Sequence, residues 1–337
     1  GWIKYPSLKT TIGSTYSSGI YLWDHHHMAM RFAYSGKQEY LKYYVSNFLT
    51  YQHTNGYVSS IIDANHGVLN DWHAQPYLAQ ATLIYVANSH DQHWLAQIFE
   101  KLKKYIEYYE LNLAAPFGLY RWRQCHHSGI DNDIATNFTL PQTVITCDLS
   151  ALLVLELASM ERLAALMGEK EDEKVFNEKT IKLKSAINTV LWNAKMGSFS
   201  AFDLCENASL FSLGKGDGQI GRFAFQSCSN LFPLYAGVAE KDQAKEMIET
   251  YLLNTDHFFS DFGIRSLSKS SEYYNNAIWG NPPRFGDYRR MTNSNWQGPV
   301  WFPLCYFSFH ALRRYGYMDK AAELMEKTIS LLAGSLE

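Results

Sequence analysis

Two kinds of helical segment alternate along these 337 residues, and that alternation limits the fold more than any single motif does. Leu149 to Met167 (LSALLVLELASMERLAALM) and Val300 to Leu312 (VWFPLCYFSFHAL) are apolar on nearly every side. Glu171 to Trp192 keeps Phe176, Leu183, Ile187 and Val190 on one face and Lys or Glu elsewhere, and Asp319 to Leu332 behaves likewise. A helix apolar all round has to lie inside, whereas a one-faced helix covers a core from outside. Short polar or glycine turns separate each inner segment from the outer one that follows: Gly36-Lys-Gln-Glu, Ser89-His-Asp-Gln, Gly168-Glu-Lys-Glu, Gly237-Val-Ala-Glu and Gly316-Tyr-Met-Asp. Glycine just past a helix accommodates the left-handed closing residue, and acids then suit the positive start of the next helix. Five such turns, roughly 50 to 80 residues apart, predict a repeated helical hairpin. Ten helices in inner/outer order predict an all-α fold of the (α/α)6 toroid kind, one hairpin short of six. Residues 1–337 then form a single barrel domain, expected to be C-terminally incomplete.

Composition narrows the function. A hydrophobic fraction of 47% is ample for a core, and no apolar run reaches the length of a transmembrane helix. The net charge of -3 argues against a nucleic-acid partner, which would call for a basic patch. Nine Trp and 23 Tyr suit a protein that stacks flat apolar faces, sugar rings included, although a large core uses aromatics too. The five cysteines (Cys125, Cys147, Cys205, Cys228, Cys305) are scattered, with no Cys-x-x-Cys pair, and read as reduced thiols of a cytoplasmic protein.

The outer-to-inner connections, at about residues 54–70, 112–145, 194–222 and 255–297, are much longer than the inner-to-outer turns, and long ordered loops are usually functional. Four tryptophan-plus-polar clusters fall on or beside the starts of inner helices: Trp23-Asp24, Trp72 to Gln75, Trp122 to Asp133, and Asn295 to Trp301. In a toroid these would meet at one mouth.

Each cluster has its own chemistry. Asp24 is expected to cap the first inner helix and to present a carboxylate to a sugar hydroxyl. The following His25-His26-His27 run lacks the i, i+4 spacing of metal ligands, so no metal is expected. Gln75, in His73-Ala-Gln-Pro-Tyr, offers an amide at the start of the second inner helix. Asp131, in Ser128-Gly-Ile-Asp-Asn-Asp, is the candidate general acid, with Trp122 as the apolar wall that would keep its carboxyl protonated. The plainer alternative makes Ser128, Asp131 and Asp133 ordinary turn-formers. In Asn295-Trp-Gln-Gly-Pro-Val-Trp, Trp296 and Trp301 could be core residues or indole platforms, beside the Gln297 amide and the bare backbone of Gly298.

Taken together, the Trp23-Asp24 pair, the SGIDND loop after an aromatic segment and NWQGPVWFPL before a late inner helix resemble glycoside hydrolase family 63 and its bacterial relatives. These include α-glucosidase-like enzymes and hydrolases of mannosylglycerate and glucosylglycerate, with trehalases as more distant cousins. The order and rough spacing match over nearly the whole chain. The resemblance implies an (α/α)6 barrel, no cofactor, and hydrolysis of an α-linked glucoside or mannoside with inversion. By motif it puts Asp131 at the general acid, and Trp23, Asp24, Gln75, Trp122, Trp296, Gln297, Gly298 and Trp301 on sugar-contacting segments, with Tyr57 of Asn55-Gly-Tyr-Val on a comparable loop.

Two departures stand out. The family's acid motif often continues with a proline-arginine pair, whereas Asp133-Ile134-Ala135 follows here. The family's general base is a glutamate in the connection after the tenth helix, beyond Glu337. An inverting glycosidase needs two carboxyl groups roughly 6.5–9.5 Å apart. Glu272 and Glu206 are possible substitutes on mouth-side loops. Two further readings stand beside the hydrolase: a sugar epimerase or isomerase using some of the 12 His as proton shuttles, and a sugar-binding relic without a base. A small carbohydrate is the expected partner, with neither nucleic acid nor membrane, and an open toroid would tend to self-associate through its apolar flanks.

Overall fold

Five helix pairs follow one another along the described chain. They are α1 (Leu22–Tyr34) with α2 (Glu39–Thr50) and α3 (Leu78–Ser89) with α4 (Gln92–Asn112), and then, after the single turn α5 (Ile134–Asn137), α6 (Cys147–Met167) with α7 (Lys170–Val190). The last two are α8 (Phe232–Tyr235) with α9 (Lys241–Met247), and α10 (Phe302–Arg314) with α11 (Met318–Gly334). The computed structural model describes residues 2–7, 18–69, 73, 75–137, 139–140, 142–209, 226–277 and 294–334. Its contacts divide the chain into two compact units, Gly1–Ala114 with Leu152–Leu183, and Ala115–Ala151 with Lys184–Glu337.

The hairpin turns are built as their residues dictate. Gly36, Gly168, Gly237 and Gly316 all have φ between 66° and 87°, where a Cβ would be strained. The second turn closes instead on His90, at φ 56°. Directly after it, the Asp91 carboxylate caps α4 by accepting the Trp94 amide at 3.0 Å and takes the Lys42 ammonium at 2.7 Å. Further on, Glu240 and Gln243 form a reciprocal capping box at the start of α9. From there the helix runs on into a π turn at Ile248–Leu252.

Burial follows the two sequence patterns with two differences. Leu78, Ala79, Gln80, Ala81 and Thr82 of α3 are all buried, as an inner helix requires. In α10, by contrast, Leu304, Cys305, Phe307, Ala311 and Leu312 are buried while Phe302 is 41% exposed, so this segment is one-sided rather than enclosed. The fourth inner helix is a single turn with Pro233 in its first turn, entered through a 3-10 turn at Cys228–Leu231. A proline is tolerated there because that amide would lack a helical partner anyway.

The first unit is centred on Leu41, Val45, Phe48, Leu78, Leu95 and Leu102, each within 2% of full burial. In the second unit α8 packs on α10 through Phe232–Phe307 and Tyr235–Phe307 ring pairs, at 5.0 and 4.7 Å. A separate cluster of Ile134, Ala135, Val144, Ala201 and Leu267 supports the loop that carries Asp131.

The long connections are not plain loops. The antiparallel strands β1 (Gly19–Tyr21), β2 (Ile61–Asp63) and β3 (Gly67–Leu69) form one small sheet of the first unit. In the second unit β4 (Val144–Ile145), β7 (Phe202–Asp203) and β8 (Ala208–Ser209) form another, and β5 (Trp192–Asn193) pairs with β6 (Ser198–Phe199). Strands of two or three residues leave no readable alternation in a sequence. Among the described residues Cys147, Cys228 and Cys305 are buried free thiols and Cys205 is an exposed one. No described helix is long and apolar enough to cross a membrane.

Candidate functional site

In the second unit the loop bearing Asp131 is latched to the segment Ser294–Trp301. Asn132, fully buried between them, makes the join: its Oδ1 accepts the Trp296 amide at 2.6 Å, its Nδ2 donates to Asn295 Oδ1 at 3.3 Å, and its carbonyl accepts Gln297 Nε2 at 3.1 Å. Asn295 then fixes the following residues, its carbonyl accepting Trp301 Nε1 at 2.8 Å. Trp296 and Trp301 stack with ring centroids 4.4 Å apart and planes 7° from parallel. Gly298 is required by proximity rather than by φ, since a Cβ there would lie 2.1 Å from the Asn275 carbonyl oxygen.

Asp131 sits half-buried at this junction, its Oδ2 accepting the Ser294 hydroxyl at 2.6 Å. Burial pushes its carboxyl above the ordinary carboxylate range, and the Ser294 hydrogen bond offsets part of that rise. A rise in that direction favours the protonated form that a proton donor needs. Sequence reasoning passed over Ser294 and Asn132. Their positions beside the Trp-Gln-Gly and Gly-Ile-Asp motifs were the available signal.

Trp122, the expected wall, is held by its indole nitrogen. It is 3% exposed, and its Nε1 donates to Asp148 Oδ2 at 2.9 Å. Asp148, in the first turn of α6, is fully buried and also accepts the Thr146 hydroxyl; burial raises its pKa to about 6, with Asp133 adding to the rise. Asp133 is enclosed as well. Its Oδ1 accepts Ser227 Oγ at 2.6 Å and the Ala135 amide at 3.2 Å, while Oδ2 finds no hydrogen-bond donor among the described residues. Asp133 fits the turn-former reading, as does Ser128, whose hydroxyl accepts the Ile130 amide at 3.0 Å.

Gln297 and Trp296 are 0% and 3% exposed. The Gln297 amide, expected to reach a ligand, is drawn inward to Asn132 and Asn275. The two substitute bases are solvent-facing: Glu206 lies exposed on a turn whose amides Asp203 accepts, and Glu272 is exposed beside Ser271. Glu337 lies outside the described residues, as does Trp72.

The first unit holds the other candidates. The N-cap of α1 is Tyr21, so Asp24 occupies the first turn instead of the cap itself; both it and Trp23 are half-buried. Tyr57 is a packed core ring, 6% exposed and edge-on to His53 and His73. Gln75 is 1% exposed and its Oε1 accepts the Tyr77 hydroxyl at 2.5 Å, ahead of α3 rather than within it. His26 stacks on Tyr77 at 4.3 Å. Burial lowers the pKa of both His26 and His27, the latter to about 4, so they are neutral at physiological pH. No group of three metal-ligating side chains occurs among the described residues. Glu156 of α6, fully buried, accepts the Ala79 and Gln80 amides at 2.9 and 3.0 Å and so caps α3 from another helix.

The paired helices place the chain among the helical-toroid folds that glycoside hydrolases use. Residues 18–335 match the mannosylglycerate hydrolase MGH1-like glycoside hydrolase domain, and the chain belongs to that family. It is 27% identical over 182 residues to mannosylglycerate hydrolase of Rubrobacter radiotolerans, a stretch covering 54% of this chain and 35% of that protein. The chain thus matches well under half the length of that curated relative. The family 63 mannosylglycerate hydrolase of Thermus thermophilus, solved in complex with glucose, superposes with a TM-score of 0.75 at 16% identity, over 99% of this chain and 88% of that one. Neutral trehalase of Saccharomyces cerevisiae superposes with a TM-score of 0.71 at 16% identity, over 92% of this chain and 64% of that one. The fold is therefore all-α, of the (α/α)6 toroid class.

Proposed function

We propose that this chain hydrolyses an α-linked glucoside or mannoside of a small acceptor, a glycosylglycerate or a short disaccharide, with inversion, and that Asp131 is the general acid. The observation that carries the proposal is the Asp131 carboxyl itself, desolvated and fixed by Ser294 beside the Trp296–Trp301 stack. The protonated carboxyl gives its proton to the glycosidic oxygen as the bond to the anomeric carbon breaks. A water then attacks that carbon from the opposite face and loses its proton to a second carboxylate. Asp133 and Asp148 are enclosed and cannot serve as that base, and Glu206 and Glu272 are exposed on turns.

The half-buried Trp301, stacked on the enclosed Trp296, supports the sugar-platform role proposed for that segment, and Trp23 and Asp24 keep theirs from the motif. Trp122 and Gln297 act in this proposal as supports behind the ligand-facing groups of the second unit, while Gln75 and Tyr57 are enclosed within the first.

The test is sugar release from mannosylglycerate, glucosylglycerate and α-linked disaccharides, followed by proton NMR of the first-formed sugar. The proposal expects release from one of these with the β-anomer appearing first. Release of the α-anomer would contradict inversion, and no release from any of them would contradict the hydrolase.

A further inference from the structure

The Ser294 hydroxyl lies between two groups of fixed polarity. Trp296 Nε1 can only donate, and it donates to Ser294 Oγ at 3.0 Å. This occupies an oxygen lone pair and turns the hydroxyl hydrogen toward Asp131 Oδ2, 2.6 Å away. The result is a directed chain, indole to hydroxyl to carboxyl, in which the member of the tryptophan stack nearer to Asp131 in sequence also orients the serine that holds the acid. Asn132 keeps the chain in register, because the residue next to Asp131 accepts the backbone amide of Trp296.

We propose that Ser294 is a positioning residue for the acid: by donating to Oδ2 it reserves Oδ1 as the oxygen that carries the transferable proton. This rests on the reading of Asp131 as the general acid. With Oδ2 engaged as an acceptor, the proton of the neutral carboxyl resides on Oδ1 and leaves from there to the glycosidic oxygen. The carbon–oxygen bond breaks with its electron pair going to that oxygen, and the carboxylate formed is held by the Ser294 bond, which strengthens as charge develops. Burial and this hydroxyl are the two influences on the carboxyl among the described residues.

The closing experiment reads the carboxyl directly. The full chain with 13C-labelled aspartate is titrated by NMR, and the Asp131 carboxyl signal is assigned by its loss in Asp131→Asn. Ser294→Ala, which leaves burial unopposed, should raise the Asp131 midpoint by about one pH unit. Ser294→Thr, which keeps a hydroxyl, should leave it within a few tenths. An unmoved midpoint in Ser294→Ala would overturn the proposal, as would equal shifts in both variants, since the hydroxyl would then not be the cause. With a hydrolysed glycoside in hand, the alkaline limb of the kcat/KM profile should move upward with the midpoint in Ser294→Ala and stay in place in Ser294→Thr. A purely structural role would lower the whole profile without moving the limb. If the wild-type chain cleaves no glycoside, the hydrolase reading fails while the NMR titration still decides the role of Ser294.

Discussion

Asn132 Oδ1 accepts the backbone N–H of Trp296 at 2.6 Å, tying together residues 164 positions apart in the chain. With the Ser294 hydroxyl on Asp131 and Gln297 on the Asn132 carbonyl, this amide side chain fixes Asp131 relative to the tryptophan stack. It is fully buried, so nothing in solvent can replace it.

Replacing it with alanine strands the buried Trp296 N–H and removes one further side-chain hydrogen bond, the one to Asn295 Oδ1. Asn132→Ala should cost about 1–3 kcal/mol of stability. The check is the urea midpoint, which should fall with the slope unchanged. A midpoint equal to that of the wild type would mean that the latch is held by other contacts.

Gly298 tolerates no side chain, because a Cβ would meet the Asn275 carbonyl oxygen at 2.1 Å. Gly298→Ala must push the Asn275 backbone and the Trp-Gln-Gly segment apart, disturbing the 4.4 Å indole stack. Two stacked indoles couple as chromophores, so the far-ultraviolet circular dichroism should lose an exciton feature near the indole absorption band. An unchanged spectrum would show that the segment absorbs the methyl without moving.

Glu156 should make stability depend on pH. Burial raises its pKa from 4.5 to about 7. The unfolded chain releases that proton near 4.5 while the folded chain holds it to about 7. The favourable contribution is therefore full below pH 4.5 and is lost as pH rises through 7. Glu156→Gln removes this ionisation. The melting-temperature difference, wild type minus variant, should decline from pH 4.5 to pH 7 and then level off. A difference independent of pH would place the Glu156 proton elsewhere.

The helical frame was legible because it is periodic. The all-round apolar run at Leu149 to Met167 became α6, and the one-faced run at Glu171 to Trp192 became α7, each within two residues at either end. The turns were legible because Gly36, Gly168, Gly237 and Gly316 mark left-handed closings. The fourth inner helix was not, since a single turn has no period to read.

Site residues were legible as motifs but not as roles. Asp131 and the Trp296–Trp301 pair stand out in the sequence, yet the partners that define them do not. Ser294 and Asn132 act across more than 160 positions, and a sequence carries no local mark of such a hydrogen bond. Trp122 and Gln297 have the composition of ligand-contacting groups, but their polar atoms are engaged inward by Asp148 and by Asn132 and Asn275. Identical chemistry at the surface and in the core is separated only by burial, which is a property of the fold.

The central claim is that Asp131 protonates the leaving oxygen, and a pair of substrates of different leaving-group demand tests it most directly. The measurement is kcat for Asp131→Asn on the hydrolysed α-glycoside and on the corresponding α-glycosyl fluoride, whose leaving group needs no proton. Loss of the acid should lower turnover of the glycoside by roughly 10²- to 10⁴-fold while the fluoride retains most of its rate. Equal losses on both substrates, or an unimpaired glycosidase, would contradict the assignment of Asp131 as the general acid.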